Sequence, residues 1–283
     1  MIIDDFEVAA GSIIGREHLR PFGWKNNQDS FAIESVSYAL ALVVTDGCGS
    51  EAKSETGAHI GARLVAHAMI HAAASALSTR DYPWAEETAF RTEVREIVLR
   101  EIKRIASAMG EDLRQMIFDH FLFTVNAVLV TRWMTMMMSI GDGVAYLNGA
   151  ALALGQFESN APPYLGYTAL KPEGDFDPAN AFKVNAFIPT AEVRSILIGT
   201  DGVDYLIAAE HETLPGKSDF VGPISQFWEE DRYFANPDMV RRRLALIQNE
   251  HLAVDWRERA IHRAPGKLPD DTTLVAIRRK PKR

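Results

Sequence analysis

A single cysteine, Cys48, excludes an internal disulfide framework and fits a reducing compartment. No apolar run approaches the roughly 18 residues of a membrane span. The opening residues, MIIDDFEVAAG, are acidic and lack a positive segment followed by an apolar core, so no secretory signal is expected. Positive charge is also in short supply. Against 38 Asp and Glu stand 30 Lys and Arg, a formal net charge of −8, and no basic stripe is present to follow a nucleic-acid backbone. The basic end, Arg278 to Arg283, reads as a solvated tail. Repeats, low-complexity stretches and linkers are missing too, which argues for one domain over residues 1–283. What remains is a soluble, cytoplasmic globular protein, with neither nucleic acid nor membrane among its expected partners.

The most informative stretch is Tyr38 to Ser50, YALALVVTDGCGS. Its apolar run, Ala39 to Val44, has the length of one strand buried on both faces. The strand is expected to end at an Asp46-Gly47 turn, where a rigidly held carboxylate suits a metal ligand. A strand-ending Asp-Gly turn is common, and alone it would mean little. The pattern recurs, however. ILIGTDGV ends on Asp201-Gly202, MMMSIGDGVAYLNG carries Asp142 between two glycines, and Pro269-Asp270-Asp271 opens TTLVAIRR. Four carboxylate positions, far apart in sequence, thus fall at strand edges. Hard cations such as Mg²⁺ and Mn²⁺ take oxygen ligands of this kind, so convergence on a binuclear site is the expectation.

Taken in order, Phe6 to Arg16 reads as a strand with an irregularity at Gly11-Ser12, and Glu17 to Asp29 as a loop. Phe31 to Val36 is a second strand. Glu51 to Ser78 is helical, with Gly57, Ala58, Gly61 and Ala62 allowing close approach to a sheet. A helix from Trp84 to Met109 follows, then a connector from Gly110 to Asp119. Phe121–Thr131, Trp133–Ile140 and Val144–Leu154 are strands at hairpin spacing. Met134 and Met136 to Met138 read as sheet filling. The long segment Gln156 to Ala181 is a candidate for substrate contact on length alone. Phe182–Ile188, Ser195–Thr200 and Thr272–Ile277 are further strands. Val203–Ala209 is a helix, and another starts at Asn236-Pro237 by capping logic. Helix pairs between hairpin-linked strands point to an α+β layered protein.

In this order the segments resemble the metal-dependent protein phosphatases, the PPM or type 2C family, and most of all its bacterial branch. The resemblance rests on NNQDSFAI (Asn26 to Ile33), VVTDGCGS (Val43 to Ser50), SIGDGVAYL (Ser139 to Leu147), LIGTDGV (Leu197 to Val203) and PDDTTLVAI (Pro269 to Ile277), with a helix from Ser54 between them. It implies a four-layer α-β-β-α sandwich and Mg²⁺- or Mn²⁺-dependent hydrolysis of phosphoserine and phosphothreonine. By the same resemblance, Asp46 bridges two divalent cations and the Gly47 carbonyl holds the second. Asp201 and Asp270 complete the first, and Asp29 orients water from just outside. Asp142, with Asp201, matches the position of a third, weaker cation. A phosphorylated protein is the implied substrate, and a serine/threonine kinase a candidate partner.

Two positions depart from the pattern. Where the family often grips phosphate with an Arg, the register gives Trp24 or Lys25, leaving Lys25, Arg16, Arg20 or His18 as substitutes. Where it often places a His as leaving-group acid, this chain has Cys48, so water or His18 would serve. Gln28 replaces a common Glu. Asp271 is expected to be solvent-facing or structural, and Arg241 to Arg243 a solvated helix face. The departures keep two alternatives open: a catalytically impaired binding or regulatory module, and a phosphomonoesterase for small molecules.

Overall fold

In the computed structural model, residues 5–19, 26–51, 53–78, 87–155, 157, 162–171 and 181–281 are described. Their strands form two five-stranded antiparallel sheets and one separate ribbon. The first sheet has the order β2 (Asp29–Ser35), β3 (Ala39–Gly47), β4 (Phe123–Thr131), β5 (Met134–Ile140) and β8 (Lys183–Pro189). The second runs β1 (Phe6–Ile13), β12 (Thr272–Arg279), β9 (Ser195–Gly199), β6 (Val144–Leu147) and β7 (Ala150–Ala151). The ribbon pairs β10 (His251–Asp255) with β11 (Ala260–Ala264).

The period-2 geometry of a strand explains why these sheets stack. Along β3, Leu40, Leu42 and Val44 point one way and pack with Val128, Val130, Ile196, Ile198, Val275 and Ile277 between the sheets. Ala39, Ala41 and Val43 point the other way, into a core shared with α1 (Ser54–Ser78), α2 (Glu87–Met109), α3 (Leu113–His120) and α4 (Leu165–Ala169). The outer face of the second sheet is covered by α5 (Gly202–Ala208), α6 (Gln226–Glu229), α7 (Arg232–Ala235) and α8 (Met239–Gln248), through Val203, Phe227, Tyr233 and Leu244. The result is the expected α-β-β-α sandwich. No helix among the described residues is long and apolar enough to cross a membrane.

Small residues in α1 do what their spacing implies. A Cβ at Gly57 would stand 1.7 Å from the His120 carbonyl oxygen, and one at Gly61 would strike the Phe123 ring. Met136, Met137 and Met138 fill the interior of β5.

Several expectations change. Asp46-Gly47 is no turn: β3 continues through it, with Asp46 paired to both Asp29 and Thr124 and Gly47 opposite Phe123, because the neighbouring strands reach this far. Gly11 is no irregularity either. It pairs in register with Leu274, and its missing side chain admits α8, where a Cβ would lie 2.5 Å from the Arg241 amide nitrogen. The stretch read as a connector holds α3, capped by Asp112 accepting from the Gln115 amide. Asn236 makes a turn with the Asp238 amide instead of capping, and α8 starts at Met239. The helix expected to end at Met109 does so, and that last residue is exposed. The strand after Asp142 belongs to the second sheet, not to a hairpin with β5. The crossing uses Gly141 at φ 92° and Gly143 at φ 117°, a region that glycine tolerates best. Residues 84–86 lie outside the described residues, as does most of the long segment after Gln156.

Candidate functional site

The site lies at one rim of the sandwich, where strands from both sheets end side by side. In the antiparallel register Asp29 of β2 faces Asp46 of β3, so both carboxylates project from the same face, the one turned toward the second sheet. On that second sheet, β9 leads into Asp201 and β12 begins just after Asp270-Asp271, with Gly199 opposite Leu274. Asn126 of β4 fastens the last corner. Its side-chain amide donates to the carbonyls of Asp142 (2.9 Å) and Gly199 (3.0 Å).

At this rim lies a cavity of about 480 Å³. Asp46, Gly47, Asp142, Asp201, Asp270, Asp271 and His18 line it, with Gln28, Thr124, Pro162, Tyr164, Tyr167 and the stretch Cys48 to Glu51 as the remaining wall. No lysine or arginine is among its described lining residues. Arg16, considered as a phosphate grip, turns away and donates to the Gly266 carbonyl (2.9 Å). Lys25 and Arg20 lie outside the described residues.

Crowded carboxylates with so little positive charge hold on to protons. Asp46 opens on the cavity, yet surrounding protein pushes its pKa well above the ordinary range, helped by the charges of Asp29, Asp201, Asp270 and Asp142. Asp29, 2% exposed, is raised chiefly by burial and next by Asp271. Hydrogen bonds from Thr200 (2.7 Å to Oδ2) and Thr273 work against the rise. Asp201 is raised to about 6 by burial and then by Asp270 and Asp142, and the Gly202 amide offsets part of this. Asp142 is raised mainly by burial. Like charges forced together in this way make a strong field for a cation. An all-oxygen carboxylate set fits hard divalent ions, so the donor chemistry suits the metals that the sequence suggests.

Of the two places expected for Asp271, it takes the structural one and not the solvent-facing one. It is 3% exposed and ties the rim together, accepting from the amides of Gly15 (2.7 Å) and Gln28 (2.5 Å) and bonding His18 Nδ1 at 2.9 Å. Cys48 Sγ sits 3.2 Å from Ser50 Oγ, at the mouth. Asp204 is exposed, and neighbouring protein still raises its pKa by desolvation. Arg241 and Arg242 are exposed and both bridge Asp238, as a solvated face should, whereas Arg243 donates to the carbonyls of Phe220 and Val221.

A sequence model of the protein phosphatase 2C family matches residues 14–244. The chain belongs to that family. Its members are divalent-metal-dependent phosphatases. Among solved structures, the serine/threonine phosphatase Stp1 of Staphylococcus aureus shares 15% identity at a TM-score of 0.52, over 98% of this chain and 96% of that one. A bacterial serine phosphatase shares 14% identity at a TM-score of 0.51, over 98% and 99%. At such identities the likeness is one of fold. Among curated protein sequences, none matches the chain.

Within this protein phosphatase 2C fold, the sequence reading missed two contributors to the cavity. One is the buried Asp271. The other is the aromatic wall of Tyr164 and Tyr167, whose rings meet edge to face at 5.7 Å. The run PPYLGY shows that aromatics are present there, but only α4 turns them inward. The family match stops before Asp270, so that residue's position is known from the fold alone.

Proposed function

We propose that this chain is a metal-dependent serine/threonine protein phosphatase working on phosphorylated proteins, with a cognate serine/threonine kinase as its functional counterpart. Asp46, the Gly47 carbonyl, Asp201 and Asp270 would hold two divalent cations, Mn²⁺ or Mg²⁺, and Asp142 with Asp201 a weaker third. The observation that carries this reading is the meeting of Asp46, Asp142, Asp201 and Asp270, from four remote strand ends, in a cavity without a described lysine or arginine. When bound, a pair of divalent cations makes water acidic enough to attack phosphorus and neutralises charge on the phosphoryl group.

The chain's own contribution is positioning. Asp46 is held by strand pairing on both sides, and Asp29 beside it is fixed by the Thr200 hydroxyl. Tyr164 and Tyr167 give the cavity an aromatic wall. No serine, cysteine or histidine nucleophile is required. The assay is Mn²⁺-dependent hydrolysis of p-nitrophenyl phosphate and of phosphoserine and phosphothreonine peptides by the purified chain. Turnover that survives excess EDTA would remove the mechanism, and preference for sugar phosphates or nucleotides over phosphopeptides would redirect the substrate.

A second reading, an impaired member that binds a partner, is favoured by two features: Arg16 is committed to the Gly266 carbonyl, and Cys48 stands where an acid is usual. Absence of turnover at every Mn²⁺ concentration, with phosphopeptide binding retained, would select it.

A further inference from the structure

Resting on the reading of Asp270 as a metal-holding carboxylate, we propose that His18 supplies an imidazole nitrogen to the same cation. The centre would then carry one nitrogen donor among its oxygens.

The placement follows from backbone pairing that the motifs do not reveal. After β1 the chain is stitched to the segment before β12: the Arg16 amide donates to the Leu268 carbonyl and the Glu17 amide to that of Pro269. At Gly15 the two segments touch, and a Cβ there would lie 2.4 Å from the Asp270 carbonyl carbon. His18 is thereby set against Asp270 and Asp271, with donor atoms of all three side chains within 4.8 Å of one another.

The hydrogen bonds then assign the tautomer. Asp271 accepts from the Gly15 and Gln28 amides, so it acts as an acceptor toward His18 as well. At 2.9 Å, the proton between them is assigned to His18 Nδ1. In the neutral ring Nε2 is then the nitrogen that can meet a cation, and it stands 3.6 Å from Asp270 Oδ1. Two ligand atoms each about 2.1 Å from one cation stand roughly 3.0–3.4 Å apart, so a movement of a few tenths of an ångström completes the pair. A carboxylate supporting one ring nitrogen while the other meets the metal is a recurrent arrangement for ligating histidines. The side chains are suitably protected: 15% of His18 and 3% of Asp271 is exposed.

The consequence is selectivity. Imidazole favours transition-metal ions over Mg²⁺, so His18 tilts this centre toward Mn²⁺, Fe²⁺ or Zn²⁺. The probe is Mn²⁺ bound to the full chain, read by electron spin-echo envelope modulation. His18 is the one histidine among the described cavity residues, so a nitrogen coupling would report it. The wild type is expected to show imidazole ¹⁴N modulation that converts to the ¹⁵N pattern on ¹⁵N-histidine labelling. His18→Gln should lose it and bind Mn²⁺ about 10–100-fold more weakly, with a smaller loss for Mg²⁺, and Asp271→Asn should weaken Mn²⁺ by a similar factor. Bound Mn²⁺ without nitrogen modulation in the wild type would overturn the role of His18 and leave the phosphatase reading standing. Failure to bind Mn²⁺ at all would overturn both. The labelling experiment uses unmutated protein, so misfolding of a variant does not affect it.

Discussion

The two sheets contribute acids to the same rim in different ways. The first sheet delivers Asp29 and Asp46 from within paired strands, while the second delivers Asp201 and Asp270 from the segments where strands start and stop. Asp29 is 2% exposed, whereas 47% of the Asp270 side chain is accessible. A carboxylate inside a ladder cannot move away from its neighbours, so its repulsion must be met by protons or cations. A carboxylate on a turn can relax toward water. The first sheet therefore sets where charge must be, and the second adjusts how tightly it is held.

Removing the ladder acid tests this most severely. Loss of Asp46 should cost several kcal/mol of transition-state stabilisation, roughly 10³-fold in kcat/KM. Raising Mn²⁺ should not restore Asp46→Asn, but should partly restore Asp201→Asn. Equal rescue of the two in a Mn²⁺ titration would break the distinction.

Stability without metal sharpens it. Asp201 is raised from 3.8 to about 6, so the folded state binds the extra proton and metal-free stability falls as pH rises through that window. The full rise corresponds to an upper bound near 3 kcal/mol, and solvent at the cavity reduces it to ~2 kcal/mol. In EDTA, Asp201→Asn should be more stable than wild type by that amount at pH 7 and show no gain at pH 4. Urea denaturation at the two pH values measures it. Mn²⁺ should reverse the order at pH 7, since it binds the acid and not the amide.

Packing behind the ladder comes next. Gly57→Ala should raise helix propensity by up to ~1 kcal/mol, yet the clash with the His120 carbonyl should outweigh this and destabilise by about 1–3 kcal/mol. The disturbance should reach activity through β3 more than through β9. A stabilised, fully active Gly57→Ala in thermal denaturation would contradict the close approach.

The smallest effect is expected at Asp142. Half-buried and paired with a weaker cation in the proposed scheme, it should cost only a few-fold in kcat when changed to Asn, or ~1 kcal/mol. Steady-state kinetics at saturating Mn²⁺ would show it.

The site was unevenly legible. Asp46, Asp142, Asp201 and Asp270 are visible as acids at the ends of apolar runs, because a strand end leaves a local pattern. Asp271 left none: its partners, Gly15, His18 and Gln28, are more than 240 residues away in sequence. The helix α3 was hidden because its eight residues carry too short a stripe to distinguish from a connector. Ribbon β10–β11 was missed because its residues are exposed on both faces and so lack alternation.

The sequence by itself determined which runs are apolar, where acids punctuate them and that the chain carries one cysteine and a formal net charge of −8, since these depend only on residue type and spacing. The tertiary structure alone decided which acids face one another, that Asp46-Gly47 lies inside a strand and that His18 stands between Asp270 and Asp271. Such relations depend on register between strands and on close backbone approach, and both arise only when segments remote along the chain are packed together.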